Sequence, residues 1–226
     1  MEPKKKLNFF FSRIFNFIFK EKFNKKIHFN FPSNFTRLNL IQKIIYKNDC
    51  KSYLEIGCDD NLVFNSIDIK KKIGVDPYAG GNYRGTSDNF FLQNQNKFDC
   101  IFIDGLHIYE QVKKDILNSI NFLSENGTII VHDCLPQSLS AQAVPRYRYS
   151  WNGDVWKAIV EARTWDYVDI VTVFIDQGVA IIKKKKNSDL LRLQTKNFKD
   201  LSFKDFYYNH KKYMRIINYE DIDNYI

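Results

Sequence analysis

The sequence predicts an α/β domain built on a doubly wound, mostly parallel sheet. Three observations carry this. Near-continuous apolar runs recur at Ser52–Ile56, 72–75, Phe98–Ile103 and 127–131, the pattern of strands buried on both faces. Helical periodicity separates them, most clearly at 109–123, with Tyr109, Val112, Ile116, Ile120 and Leu123 on one face. Two further runs, 170–175 and Val179–Lys183, flank Asp176-Gln177-Gly178, which reads as a hairpin turn, so the sheet ends in an antiparallel hairpin. At 226 residues and 44% apolar, the chain has enough material for one such core.

Taken in order, residues 7–18 place Leu7, Phe10, Phe11, Ile14, Phe15 and Ile18 on one helical face, with Asn8, Ser12, Asn16 and Lys20 on another. Lysines flank this stretch on both sides. Residues 7–26 therefore fit the interface of an anionic membrane, or a helix packed on its own domain or on a partner subunit, which leaves a homo-oligomer open. Residues 35–46 predict a second amphipathic helix (Leu38, Leu40, Ile41, Ile44, Ile45), residues 62–67 a short one, and 154–162 another. Between 134 and 153 the chain is irregular. Past residue 186 comes a basic tail rich in Tyr and Phe, expected to be helical and docked in part. The expected organisation is a basic amphipathic segment (1–34), an α/β domain (35–186) and a C-terminal tail (187–226).

The net charge of +8 is unevenly placed. Residues 1–30 hold eight Lys/Arg against two acids and residues 183–226 eleven against six, so the middle of the chain is net acidic. A nucleic-acid-binding core is therefore disfavoured. Cys50, Cys58, Cys100 and Cys134 form no CxxC pair, which fits reduced thiols and neither a disulfide frame nor a zinc site. The apolar stretch 7–19 is too short to span a bilayer, includes Arg13 and lacks a small-residue cleavage site. The expected location is cytoplasmic, with peripheral contact at the inner membrane face as the other option.

Ligands of open α/β sheets bind at the carboxyl ends of the strands. The first strand ends in Glu55-Ile56-Gly57-Cys58-Asp59-Asp60, where Gly57 allows a tight turn and Asp60 can cap the next helix. Asp76 follows Gly57 by nineteen residues, the position from which a carboxylate holds a ribose diol, or else caps a helix. No GxGxxG is present: past Gly57 the turn carries Asp59 and Asn61 and no further glycine, which disfavours a pyrophosphate and suits a ligand carrying a cation. The next ends carry Asp104-Gly105-Leu106-His107 and His132-Asp133 on strands expected to be neighbours. Two carboxylates and a histidine suit a divalent ion such as Mg²⁺, with His107 as a candidate general base; the other reading makes them helix caps. Residues 134–153 carry Arg146, Tyr147, Arg148, Tyr149 and Trp151 beside these ends. They read as a substrate lid in which Arg146 and Arg148 meet an acidic sugar or a phosphate, or as a loop packed on the tail.

With YLEIG (53–57), GVDP (74–77), FDCIFIDGLHIYEQVKKDI (98–116) and GTIIVHD (127–133), the chain resembles the class I S-adenosylmethionine-dependent methyltransferases, specifically bacterial small-molecule and sugar O-methyltransferases with a DGxH segment. The likeness spans roughly residues 36–183. It implies a Rossmann-like seven-stranded sheet and S-adenosylmethionine as cofactor. It places Glu55, Gly57 and Asp59 around the methionine part, Asp76 on the ribose, Ser87 along the adenine and Asp104 at the edge of the same site. It implies Mg²⁺ at Asp104, His132 and Asp133, although His132 stands where an acid is usual, and it makes His107 the base. The expected activity is O-methylation of a small polar acceptor such as a sugar of a surface glycan. The rivals are a nucleotide-dependent sugar-modifying enzyme on the same fold, opposed by the missing glycines, and a non-catalytic membrane-surface scaffold.

Overall fold

The computed structural model describes residues 3–226, with side chains from Leu7 onward. The apolar runs become strands β1 (Ser52–Ile56), β2 (Lys71–Asp76), β3 (Tyr83–Arg84), β4 (Phe98–Ile103), β5 (Leu123–Val131), β6 (Asp169–Val173), β7 (Val179–Lys183) and β8 (Ile216–Ile217). The helices are α1 (Pro3–Phe19), α2 (Arg37–Lys47), α3 (Leu62–Ser66), α4 (Ser87–Gln93), α5 (Tyr109–Asn121), α6 (Leu139–Gln142), α7 (Val155–Ala162) and α8 (Phe203–Met214). Among the described residues the strands form one sheet in the order β3-β2-β1-β4-β5-β7-β6-β8. Only β7 runs against its neighbours: it lies between β5 and β6, antiparallel to both. The strand order reverses between β1 and β4, so their carboxyl ends open the crevice in which such sheets bind ligands.

Side-chain alternation along the central strands divides the core. Ile101 and Ile103 join Ile129, Val112, Ile116, Trp156 and Phe206 on the face covered by α4, α5, α7 and α8. Cys100 and Phe102 join Tyr53, Leu40, Ile41 and Ile44 on the face covered by α2 and α3. All four cysteines are buried and free.

Three features differ from expectation. The sheet has an eighth strand, because β8 adds to the edge parallel to β6. Leu123, expected to end a helix, instead pairs with Phe98 and begins β5. The C-terminal tail is also part of the core: Phe203, Phe206 and Met214 of α8 are fully buried. The N-terminus of α8 is closed by Ser202 and Asp205 and by the carboxylate of Glu21, which accepts from the amides of Phe203 and Lys204. Around Glu21 the chain runs as a strap, with Phe23 against Phe203 and Tyr207, and Phe29 and Phe31 against Phe174.

Candidate active site

The two halves of the crevice are built differently. On the β1/β2 side, Gly57 leaves β1 with a φ of +86° and rests on the Asp104 carbonyl, so that a Cβ would collide with it. Asp76, at the end of β2, accepts four backbone N–H bonds: Cys58 and Asp59 on one oxygen (3.1 and 3.2 Å), Tyr78 and Ala79 on the other (both 2.8 Å). Burial alone would raise its pKa, but these donors hold it below the ordinary carboxylate value. No helix follows Asp76, so it caps none; its bonds instead fasten the turn after β1 to the turn after β2. Asp59 is exposed at the rim. Asp60 accepts from the Leu62 amide at 3.1 Å, as a residue before a short helix should. Asn61 sits at φ +67°, a conformation that asparagine tolerates, and its side chain accepts from the Gly81 amide at 2.6 Å. Glu55 is 1% exposed and accepts from the Tyr53 hydroxyl at 2.6 Å. Burial raises its pKa to about 7. Ser87 opens α4 with its hydroxyl accepting from Gln111 of α5 at 3.2 Å.

The β4/β5 side gathers ionisable groups instead. His107 stands between two carboxylates, with Nε2 3.3 Å from Asp104 and Nδ1 3.1 Å from Asp133. Nδ1 also lies 3.3 Å from the Trp151 carbonyl, which can only accept, so Nδ1 carries a proton, while Nε2 faces the Asp104 carboxylate. His132 lies 3.1 Å from Asp104 through Nδ1 and 2.8 Å from the Asp176 carbonyl through Nε2, so both its nitrogens act as donors. Arg37 closes the group, pairing with Asp176 at 3.0 Å and lying 3.6 Å from Asp104.

Charge complementarity fixes the protonation pattern. Burial alone would raise Asp104, but the charge of His132 and hydrogen bonds from His107 and His132 hold it well below the carboxylate range. Burial would lower His132; the charges of Asp104 and Asp133 raise it well above the ordinary histidine value. His107 is likewise raised, against burial, by its bond to Asp104 and by the charge of Asp133. Asp133 is pushed up, chiefly by burial. Among the described residues of this cluster, Asp104, Asp133 and Asp176 face Arg37, His107 and His132, so the protein supplies its own counter-charges.

This corrects the expected metal set. One oxygen each of Asp104 and Asp133 lies within 4.8 Å of a nitrogen of His107, and His107, not His132, completes that group. His132 has no free nitrogen. A set with an imidazole donor, whose carboxylates already serve Arg37 and His132, does not fit Mg²⁺, which prefers oxygen ligands. The helix-cap reading of Asp104 and His107 also gives way, because Asp154 caps α5 by accepting from the Tyr109 amide at 2.7 Å.

Residues 134–153 wall the site. The Trp151 ring stacks on His107 with centroids 5.4 Å apart. Asn152 donates to Asp133 at 2.8 Å. Gly153, at φ +63°, lies against the His107 backbone, where a Cβ would collide with its carbonyl. Arg146 spends donors on the carbonyls of Arg148 (2.8 Å) and Tyr149 (2.5 Å), and its guanidinium lies over the Trp151 ring. Arg148 binds Ser140 at 2.9 Å. Both arginines hold the loop in shape. Sequence reasoning missed Arg37, Asn152 and Asp176; a signal was available only for Asn152, from the Asn-Gly pair that closes the irregular stretch.

Residues 75–134, from the end of β2 to just past β5, match a family model described as a methyltransferase domain. The fold is that of a methyltransferase. The SAH-bound methyltransferase PaMTH1 of Podospora anserina aligns with a TM-score of 0.53 at 15% identity, over 82% of this chain and 89% of that one. A putative caffeoyl-CoA O-methyltransferase from Staphylococcus aureus aligns at 0.51 and 17% identity, over 81% and 100%. The O-methyltransferase TomG of Streptomyces achromogenes, solved with SAM, aligns at 0.50 and 9% identity, over 82% and 91%. No curated protein matches the sequence.

Proposed function

We propose that the chain is an S-adenosylmethionine-dependent O-methyltransferase that methylates a hydroxyl of a small polar acceptor, such as a sugar of a surface glycan. The observation that carries the reading is His107, held between Asp104 and Asp133, with the Gly57 turn packed on the backbone of Asp104. Two of the structures sharing this fold were solved with SAM or SAH, which supports the cofactor.

The chain's residues divide the task. The Gly57 turn and the loop fastened by Asp76 bind and orient the cofactor, and Asp59 gives that end an acidic character suited to a sulfonium. The acceptor oxygen attacks the methyl carbon in line; the carbon–sulfur bond breaks and its electron pair stays on sulfur, leaving S-adenosylhomocysteine. Nε2 of His107 first releases to solvent the proton it shares with Asp104, and the acceptor proton then passes to that nitrogen while Nδ1–H stays held by Asp133 and the Trp151 carbonyl. The cationic sulfonium opposes protonation of His107 while it is bound, which offsets the upward push of the two aspartates. Trp151 and Asn152 keep water from this end. No step needs a metal.

Calorimetric titration with S-adenosylhomocysteine tests the reading. Micromolar binding, about −8 kcal/mol, is expected. Absence of binding would favour the non-catalytic scaffold.

A further inference from the structure

The amphipathic helix at the N-terminus is docked with its polar side inward. Its contacts to the protein come from Phe9, Arg13 and Asn16, one helical face. Phe9 packs edge-on against Tyr149, Arg13 lies over Tyr147, and Asn16 donates to the Pro145 carbonyl at 3.0 Å. The apolar stripe therefore points away from the domain. Leu7, Phe10, Phe11, Ile14, Phe15, Phe17, Ile18 and Phe19 are all exposed, Phe17 at 72% and Phe19 at 69%. A continuous apolar surface of this size on a soluble domain marks an interaction site.

The charges around the stripe select its partner. Lys20 lies over Phe15 and Lys22 over Phe17, and Lys4, Lys5 and Lys6 precede the stripe in sequence. The one acid within residues 3–30, Glu21, is turned inward onto the amides that begin α8. Beside the stripe, a cavity of about 610 Å³ is lined by Arg13, Lys20 and Lys22 together with Phe17, Tyr147 and Glu21, whose two oxygens are taken up by the α8 amides. Apolar side chains interleaved with lysines, next to a cationic cavity, match the acyl boundary and phosphate layer of an anionic bilayer. A second copy of the chain is the poorer occupant, because it would bring two basic helices together.

We propose that α1 is an interfacial anchor that lays its apolar stripe into an anionic lipid surface, with headgroup phosphates taken into the cavity lined by Arg13, Lys20 and Lys22. Because the same helix grips residues 145–149, and Trp151 of that loop stacks on His107, the anchor sets the crevice at the membrane face. The acceptor is then one carried on or near the bilayer. Lipid binding itself does not depend on the methyl-transfer reading.

The test is flotation of the full chain with phosphatidylcholine vesicles, with and without phosphatidylglycerol, at low and high salt. Binding is expected with phosphatidylglycerol, weakened by salt. Replacing Phe10, Ile14 and Ile18 together by serine should lower it at least tenfold, with an unchanged melting temperature because all three side chains are exposed. Lys20→Glu with Lys22→Glu should abolish the preference for anionic vesicles. Equal binding by the wild type and the serine variant, absence of binding to anionic vesicles, or a stable dimer in sedimentation that the serine variant dissolves would each overturn the proposal.

Discussion

The two halves of the crevice satisfy their carboxylates in opposite ways. At the β1/β2 end Asp76 is met by four backbone amides, so its place is set by the fold and its charge is spread over fixed dipoles. At the β4/β5 end Asp104 and Asp133 are met by side chains that titrate. A carboxylate held by amides does not exchange protons near neutrality, whereas one facing imidazoles lets a proton move. On the proposed function the first half would hold the ligand and the second handle a proton, the division that methyl transfer to a hydroxyl requires.

Substitution in one half should leave the other intact. The largest effect is expected from His107→Ala, which should lower turnover by about 10²–10⁴-fold while the affinity for S-adenosylhomocysteine, read by calorimetry, stays within about twofold, below 0.5 kcal/mol. Asp76→Ala should do the reverse. It strands amides of the cofactor turn, at a cost of about 1–3 kcal/mol, and should weaken cofactor binding about tenfold or more, read by the same titration. Gly153→Ala sharpens the contrast further. A side chain there collides with the His107 carbonyl in a backbone conformation that disfavours it, so turnover should fall and stability drop by about 1–3 kcal/mol, with cofactor affinity retained. A chelator should change the rate by less than twofold; a rate that collapses and returns with Mg²⁺ would show that the self-neutralised cluster opens to a metal.

The smallest effect concerns neither half. Asp169 binds Arg215 at 2.7 Å and Ser188 at 3.0 Å. Burial would raise its pKa, but the Ser188 amide, Arg215 and the Ser188 hydroxyl hold it below the ordinary carboxylate value. Its contribution to stability is therefore present above the unfolded value of about 3.9 and is lost as pH falls through the lower folded value. Thermal melts should show Asp169→Asn less stable than wild type at pH 7, with the gap narrowing in acid and both halves of the crevice unaffected.

The central strands were legible because burial on both faces leaves an unbroken apolar signature: β1, β4 and β7 run over the expected residues. Strands β3 and β8, two residues each, leave no such trace. The tail's docking was legible only in part, because the burial of Phe203 and Phe206 depends on α7, distant in sequence. At the site, Asp104, His107 and Asp133 could be placed together from strand ends alone. Arg37 and Asp176 could not, since their pairing joins the start of α2 to the hairpin turn, and no local pattern records it. Asn61 raised doubt as a replacement for glycine, and the reason it serves, a left-handed backbone with a side chain that binds the neighbouring loop, is visible only in three dimensions.

The most direct test of the division between the halves is calorimetric titration of S-adenosylhomocysteine into the wild type, His107→Ala and Asp76→Ala side by side. Micromolar binding is expected for the wild type and for His107→Ala, with a clear loss for Asp76→Ala. Binding lost in His107→Ala as much as in Asp76→Ala, or absent from the wild type, would contradict the account.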